Sequence, residues 1–184
     1  MADIHTDDFE LIDLFLSGTH SEEAFNLIVK KYQKQVYATI RKMVIDHDDT
    51  NDLVQNTFIK AWKNLSNFNK SSKLFTWLYR IAVNETITFL NTRKKRNLIP
   101  FSTKEYDLSE KLESDPWFDG DEAQKKFQAA LLTLPHKQKL VFNMRYYDDM
   151  PYEQMSEILD TSEGALKASY HHAAKKIHDY LMNH

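Results

Sequence analysis

From Phe9 the apolar positions recur at helical spacing: Phe9, Ile12 and Leu16, then Phe25, Ile28, Val29, Tyr32, Val36, Ile40 and Val44. Ser21 followed by Glu22 and Glu23 reads as a helix start, with acids where the first turn favours them. The acids from Asp46 to Asp49 interrupt the pattern and can cap a further helix carrying Leu53, Val54, Phe58, Ala61, Trp62 and Leu65. SNFNKSS, residues 66 to 72, is a loop by composition, and the next helix runs from about Lys73 to Arg96. Leu74, Trp77, Leu78 and Ile81 predict its buried stripe. Residues 98 to 121 show no sustained period and contain Pro100, Pro116 and Gly120, so they read as a linker. Helical spacing resumes with Phe127, Leu131, Leu132 and Leu134, then Leu140, Val141, Met144 and Tyr147, and a last helix pair follows. The fold expected is all-α: a module over 1–97, an acidic linker over 98–121, and a second module over 122–184.

Composition agrees with helices. Only three glycines and four prolines occur in 184 residues, too few for the turns of a β-rich fold. Without cysteine there is no disulfide, thiolate metal site or cysteine nucleophile, which fits a reducing cytosol. The opening residues MADIHTDDFELIDLF are acidic and lack a basic region before an apolar run, so no signal peptide is expected. No apolar stretch nears the length of a membrane span, and a cytoplasmic protein is expected.

The net charge of −3 conceals a strong asymmetry. Residues 1–52 carry eleven acids against five bases, and residues 98–121 seven acids against two. Between them, residues 53–97 carry nine bases (Lys60, Lys63, Lys70, Lys73, Arg80, Arg93, Lys94, Lys95 and Arg96) against Glu85 alone. A basic segment bracketed by acid is the footprint of a polyanion site, although a charge run by itself also describes a solvated helix face. The run Arg93 to Arg96 equally suits the negative end of a helix dipole.

PYEQMSEILDTSEGALKASYHHAAKKI, residues 151 to 177, has a short helix, a turn at Asp160-Thr161-Ser162 and a longer helix. Pro151 suits a first helical position, Ser162 can cap the second helix, and Met155, Ile158 and Leu159 face Leu166, Ala173, Ile177 and Leu181. This is the layout of a helix-turn-helix, and spacing alone leaves a plain helical hairpin equally open. If the motif reads DNA, Glu163, Lys167, His171, Lys175 and Lys176 face outward with His172 to the side; Lys175 and Lys176 suit phosphates and Lys167 a base edge. Adjacent His171 and His172 diverge by about 100° on a helix, and no metal site is expected.

DLVQNTFIKAWKNLSNF, residues 52 to 68, with FTWLYRIAVN, residues 75 to 84, resembles the second region of bacterial RNA polymerase sigma factors, and above all their extracytoplasmic-function (ECF) group. Residues 130 to 177, ALLTLPHKQKLVFNMRYYDDMPYEQMSEILDTSEGALKASYHHAAKKI, resemble the fourth region. The resemblance implies a non-catalytic initiation factor without a cofactor. Its partners would be core RNA polymerase (the β′ clamp and the β flap), promoter DNA and an anti-sigma factor. Asp52, Gln55, Asn56 and Ile59 would dock on the clamp. Asn67, Phe68, Asn69, Lys70 and Ser71 in the loop, with Lys73, Trp77, Arg80 and Asn84 on the helix, would open the minus-ten element and hold its unpaired strand. Glu163, Lys167, His171, His172, Lys175 and Lys176 would read the minus-thirty-five element, and the acidic linker would lie near the active-site cleft or RNA exit path. Leu53, Phe58 and Trp62 read as core, while Trp77 fits both the buried stripe and the face of Lys73, Arg80 and Asn84. The rings of Phe68, Phe75 and Tyr79 suit either a core or a surface role.

Three departures stand out: Asn56 replaces an acid, Asp160 a turn glycine, and Ser169, His172 and Ala174 replace arginines of the recognition helix. Two rivals exist. A helix-turn-helix regulator working without polymerase leaves the basic, ring-rich segment unexplained. A helical enzyme using Asp48, Asp49 and Asp52 lacks a nucleophile–base pair or phosphate loop.

Overall fold

Asp7 opens the first helix: its carboxylate accepts the Phe9 N–H at 3.0 Å, which fixes where helix α1 (Asp8–Leu16) begins. The computed structural model describes residues 7–44, 46–96 and 122–183, and the linker expected over 98–121 lies outside them. The chain divides into two compact units, Met1–Thr88 and Phe89–His184.

In the first unit α1 is followed by α2 (Ser21–Arg41), α3 (His47–Asn64), a 3-10 turn (Leu65–Asn67) and, as far as Thr88, by α4 (Leu74–Arg96). Between α1 and α2 the chain reverses at Gly18, whose φ of +80° is open to glycine and strained for other residues. The Ser21 hydroxyl donates to the Phe15 carbonyl at 2.6 Å across the same turn. Asp8 fastens α1 along α2, accepting from Lys31 at 2.8 Å and from the Tyr32 hydroxyl at 2.7 Å. Burial, and then the Asp8 carboxylate, hold the Tyr32 phenol well above its ordinary pKa.

Helix α2 buries Ala24, Phe25, Ile28, Tyr32, Val36 and Ile40, the stripe expected from spacing. Asp46 starts α3 by accepting the N–H groups of Asp48 and Asp49, both at 3.0 Å. Leu53, Phe58 and Ala61 are buried beneath it. Phe9 and Leu16, expected in the core, are exposed; α1 is short and buries only Leu11 and Ile12. Helix α4 is buried over a broader arc than the expected stripe. Leu74, Leu78, Ala82 and Val83 are enclosed with Thr76, Tyr79 and Thr86, and Ile81 is half-buried. A helix covered on more than one side loses the clean periodicity by which a single face is read. Truncating fully buried Leu78 to alanine costs about 2–5 kcal/mol.

The second unit contains α5 (Glu122–Leu132), α6 (His136–Tyr146), α7 (Tyr152–Leu159) and α8 (Glu163–Asn183). Ala130, Leu131, Leu134, Phe142, Ala173 and Ile177 form a buried cluster, against which Phe127, Tyr170, Ala174 and Tyr180 pack. Phe142 stacks on Tyr170 at 5.4 Å and on Tyr146 at 5.2 Å. Pro151 stands one place outside α7, as its N-cap, with an extended ψ of 145°. Asp160 ends α7 in the left-handed region at φ 48°, the geometry a turn glycine would supply. Asp149 is also left-handed, at φ 45°, in the turn before α7. Tyr147 and Leu181, expected inside, are exposed.

Candidate nucleic-acid interface

The segment between α3 and α4 is built from its own sequence upward. Phe68 leaves the 3-10 turn and is buried, 7% exposed, with its ring 5.3 Å from that of Trp77. Asn69 accepts from the backbone N–H of Ser71 at 3.1 Å and from its hydroxyl at 2.6 Å, an Asx turn that sets the loop's curvature. Lys70 sits at φ 59°, an unusual value for a residue with a long side chain. Its ammonium is bonded to the Asp13 carboxylate of α1 and lies 5.5 Å from the Phe9 ring. Asn67, Asn69 and Ser71 are exposed between these two anchors.

The loop's expected DNA-facing residues therefore separate. Phe68 faces the core in place of the surface, because a ring beside Trp77 gains more from burial than a loop position loses. Lys73, Arg80 and Asn84 are exposed along one side of α4, with Trp77 half-buried among them. The Lys73 carbonyl accepts the Trp77 N–H at 3.2 Å, so this lysine stands at the start of the helix. A cation there opposes the helix dipole and adds to its attraction for an anion. Lys73 and Arg80 make no ion pair among the described residues, whereas Lys60 is paired with Glu85, the lone acid of the basic segment. Phe75 and Tyr79 fall on the core side: Phe75 stacks on Tyr32 at 5.8 Å, and Tyr79 is buried. Arg93 lies 5.9 Å from the Phe89 ring.

Asp52, Gln55, Asn56 and Ile59 are all exposed on α3, and their spacing places them on one face. Ile59 is 51% exposed, a large apolar side chain offered to solvent. Trp62, expected in the core, is 38% exposed, although its ring meets Phe15 at 4.9 Å and Phe25 at 5.0 Å edge to face.

On α8, Glu163, Lys167, His171, His172, Lys175 and Lys176 are all exposed. Lys167 bonds Glu163 at 3.1 Å and lies 5.5 Å from the Tyr152 ring. Arg145 approaches the same ring at 5.7 Å and bonds Asp149 at 2.8 Å. Sequence reasoning missed Arg145 and Tyr152, because their nearness to Lys167 follows from the packing of α6 and α7 against α8. Lys176 reaches Gln138 at 3.1 Å. The rings of His171 and His172 are 6.0 Å apart at 63°, and no metal-ligating group of three occurs among the described residues. No helix among the described residues is long and apolar enough to cross a membrane.

Two family descriptions match the chain: sigma-70 region 2 over residues 28–96 and sigma-70 region 4 over residues 124–177. The chain belongs to the sigma-70 family. Both regions occur in the order of the ECF group, and relatives of that group align along nearly the whole chain. The ECF RNA polymerase sigma-E factor of Haemophilus influenzae is 27% identical over 87% of this chain and 88% of its own length. The RNA polymerase sigma-H factor of Pseudomonas aeruginosa is 26% identical, covering 92% and 91%. In fold, this sigma factor resembles the sigma factor RpoE crystallised with the anti-sigma factor NepR from Bartonella quintana. That match has a TM-score of 0.66, 21% identity, and coverage of 86% and 96%. CnrH, solved with the cytosolic domain of CnrY, matches at a TM-score of 0.66 and 21% identity over 98% and 99%.

Proposed function

We infer that this sigma factor binds core RNA polymerase, brings it to a subset of promoters and helps open the start region. One observation carries this reading: a region 2 match and a region 4 match lie in one chain, each over a module whose polar and basic faces are exposed. The face of Asp52, Gln55, Asn56 and Ile59 docks on the β′ clamp, and the second module takes the β flap. Asn67, Asn69 and Ser71 offer polar edges to an unpaired base. Trp77 supports stacking, and Lys73, Arg80 and Asn84 follow the backbone. Stacking on an aromatic ring returns about 1–3 kcal/mol per base, which offsets part of the unstacking that opening requires. Glu163, Lys167, His171, His172, Lys175 and Lys176 face the minus-thirty-five duplex.

The role is one of binding, without bond chemistry or a cofactor, and it is carried out in the cytoplasm. An anti-sigma factor is the expected regulator; the two solved structures named above were each captured with another protein. The acidic segment 98–121 runs near the active-site cleft or RNA exit path as a mimic of nucleic acid. The test is transcription with purified core polymerase on a promoter library. Complex formation and directed initiation are expected; absence of both discards the reading in favour of a regulator working alone. Unchanged abortive products and promoter escape after neutralising the acids of 98–121 discard the linker's role.

A further inference from the structure

Lys70 is the feature that promoter opening, as described above, leaves unexplained. A lysine at φ 59° lies about 1 kcal/mol or more above its preferred conformations, so the surroundings must hold it there. They do so from two directions. On one side its ammonium is bonded to Asp13 and set over Phe9, and α1 is itself tied to α2 through Asp8, Lys31 and Tyr32. On the other side Phe68 is buried against Trp77, and Asn69 closes on Ser71. Residues 68 and 70 are anchored in the unit while Asn67, Asn69 and Ser71 remain exposed. The Asn69 carbonyl oxygen is committed to the loop, and its amide nitrogen makes no hydrogen bond among the described residues.

We propose that Asp13 is a positioning residue for this loop: through Lys70 it holds the loop in the form that receives unpaired DNA, and Lys70 serves as a strut between α1 and the loop in place of a phosphate anchor. The pair is net neutral, so it adds nothing to the attraction of a polyanion and releases no counterion when DNA binds. The Phe9 ring, exposed on α1, lies 5.5 Å from the same ammonium. The proposal rests on the reading of the loop as the site of strand capture.

The test uses the full chain assembled with core polymerase and a fork-junction DNA with an unpaired non-template strand, titrated at several salt concentrations. Lys73→Ala is the reference for a phosphate contact and lowers the slope of log K against log salt by about 0.7. Lys70→Ala and Asp13→Asn are each expected to weaken binding about 3- to 10-fold with the slope unchanged, and the double variant to lose no more than either alone. The charge-swapped chain, Asp13→Lys with Lys70→Asp, is expected to regain binding to within about 2-fold. A lower slope in Lys70→Ala, tighter binding by Asp13→Asn, or a swapped chain no better than Lys70→Asp overturns the proposal. Core polymerase complexes that bind no fork DNA even with the unaltered chain would instead overturn the reading on which it rests.

Discussion

The loop before α4 and the last helix, α8, both present positive charge, and they hold it in opposite ways. In the loop the cation at 70 is tied to a carboxylate from a distant helix, a ring is buried beside it, and the exposed residues are short and polar. On α8 the cations stand on a regular helix and their ties are weak: Lys167 bonds Glu163 one turn away, and Lys176 reaches Gln138. Aromatic rings follow the same division. Trp77 is half-buried among Lys73, Arg80 and Asn84, whereas Phe142 and half-buried Tyr170 stack on each other in the second unit. Single strands are flexible and must be met by a surface that is already shaped, since ordering both partners would lose affinity. A duplex is stiff and brings its own groove, so a helix with mobile side chains suffices.

The widest separation of the two regions comes from Trp77→Ala. Loss of a stacking platform is expected to weaken fork-junction binding by about 5- to 150-fold, with duplex binding by the second module unchanged. Fluorescence of a base analogue in the minus-ten strand reads the first quantity and a duplex titration the second; equal loss in both would erase the distinction. Removing the cap of α3 by Asp46→Ala is expected to destabilise the first unit by about 1 kcal/mol and leave the second unchanged, seen as a split in thermal unfolding. On α8, Lys175→Ala is expected to reduce the salt slope of minus-thirty-five duplex binding by about 0.9 while preserving the sequence ranking, as a phosphate contact should. Asp160→Gly relieves a left-handed residue and is expected to stabilise the second unit by about 0.5 kcal/mol in denaturant unfolding. Lys70→Gly, in contrast, loses its tie to Asp13 and is expected to bring no net gain.

The smallest effect is one of pH. The folded state holds the Tyr32 phenol protonated, chiefly through burial and then through Asp8, so its pKa lies above that of the unfolded chain. Its contribution is present in full below the ordinary tyrosine range and is lost as pH rises from about 10. Tyr32→Phe should flatten the alkaline fall of first-unit stability; an unchanged profile would assign that fall to other groups.

Helix starts were legible because they depend on neighbours in sequence: Asp46 caps α3, and Ser21 with Glu22 and Glu23 opens α2. The α2 stripe was legible for the same reason, since one face of a long helix meets one core. The outward residues of α8 followed from helical geometry once the helix was placed, whereas the set Asp52, Gln55, Asn56 and Ile59, exposed on α3, came with the family resemblance. The two family motifs could be read directly from residues 52–84 and 130–177, and their matches assign the chain to its family.

Ring placement was not legible. Phe68, Trp77, Phe75 and Tyr79 share a short stretch, and each had an apolar or an interfacial reading. Phe68 is buried beside Trp77, Tyr79 is buried edge to face with Phe75, Phe75 stacks on Tyr32, and Trp77 stays between core and solvent. Nor did the sequence tell which bases of residues 53–97 are available, because charge was counted by segment and pairing joins residues far apart along the chain. Lys60 meets Glu85 and Lys70 meets Asp13 across 25 and 57 positions of the chain. By itself the sequence determined the helices, the Asp46 cap and the family, all of which rest on local spacing. Only the tertiary structure decided which of the loop's residues are exposed and which are tied to the rest of the unit, since that depends on contacts between residues distant along the chain.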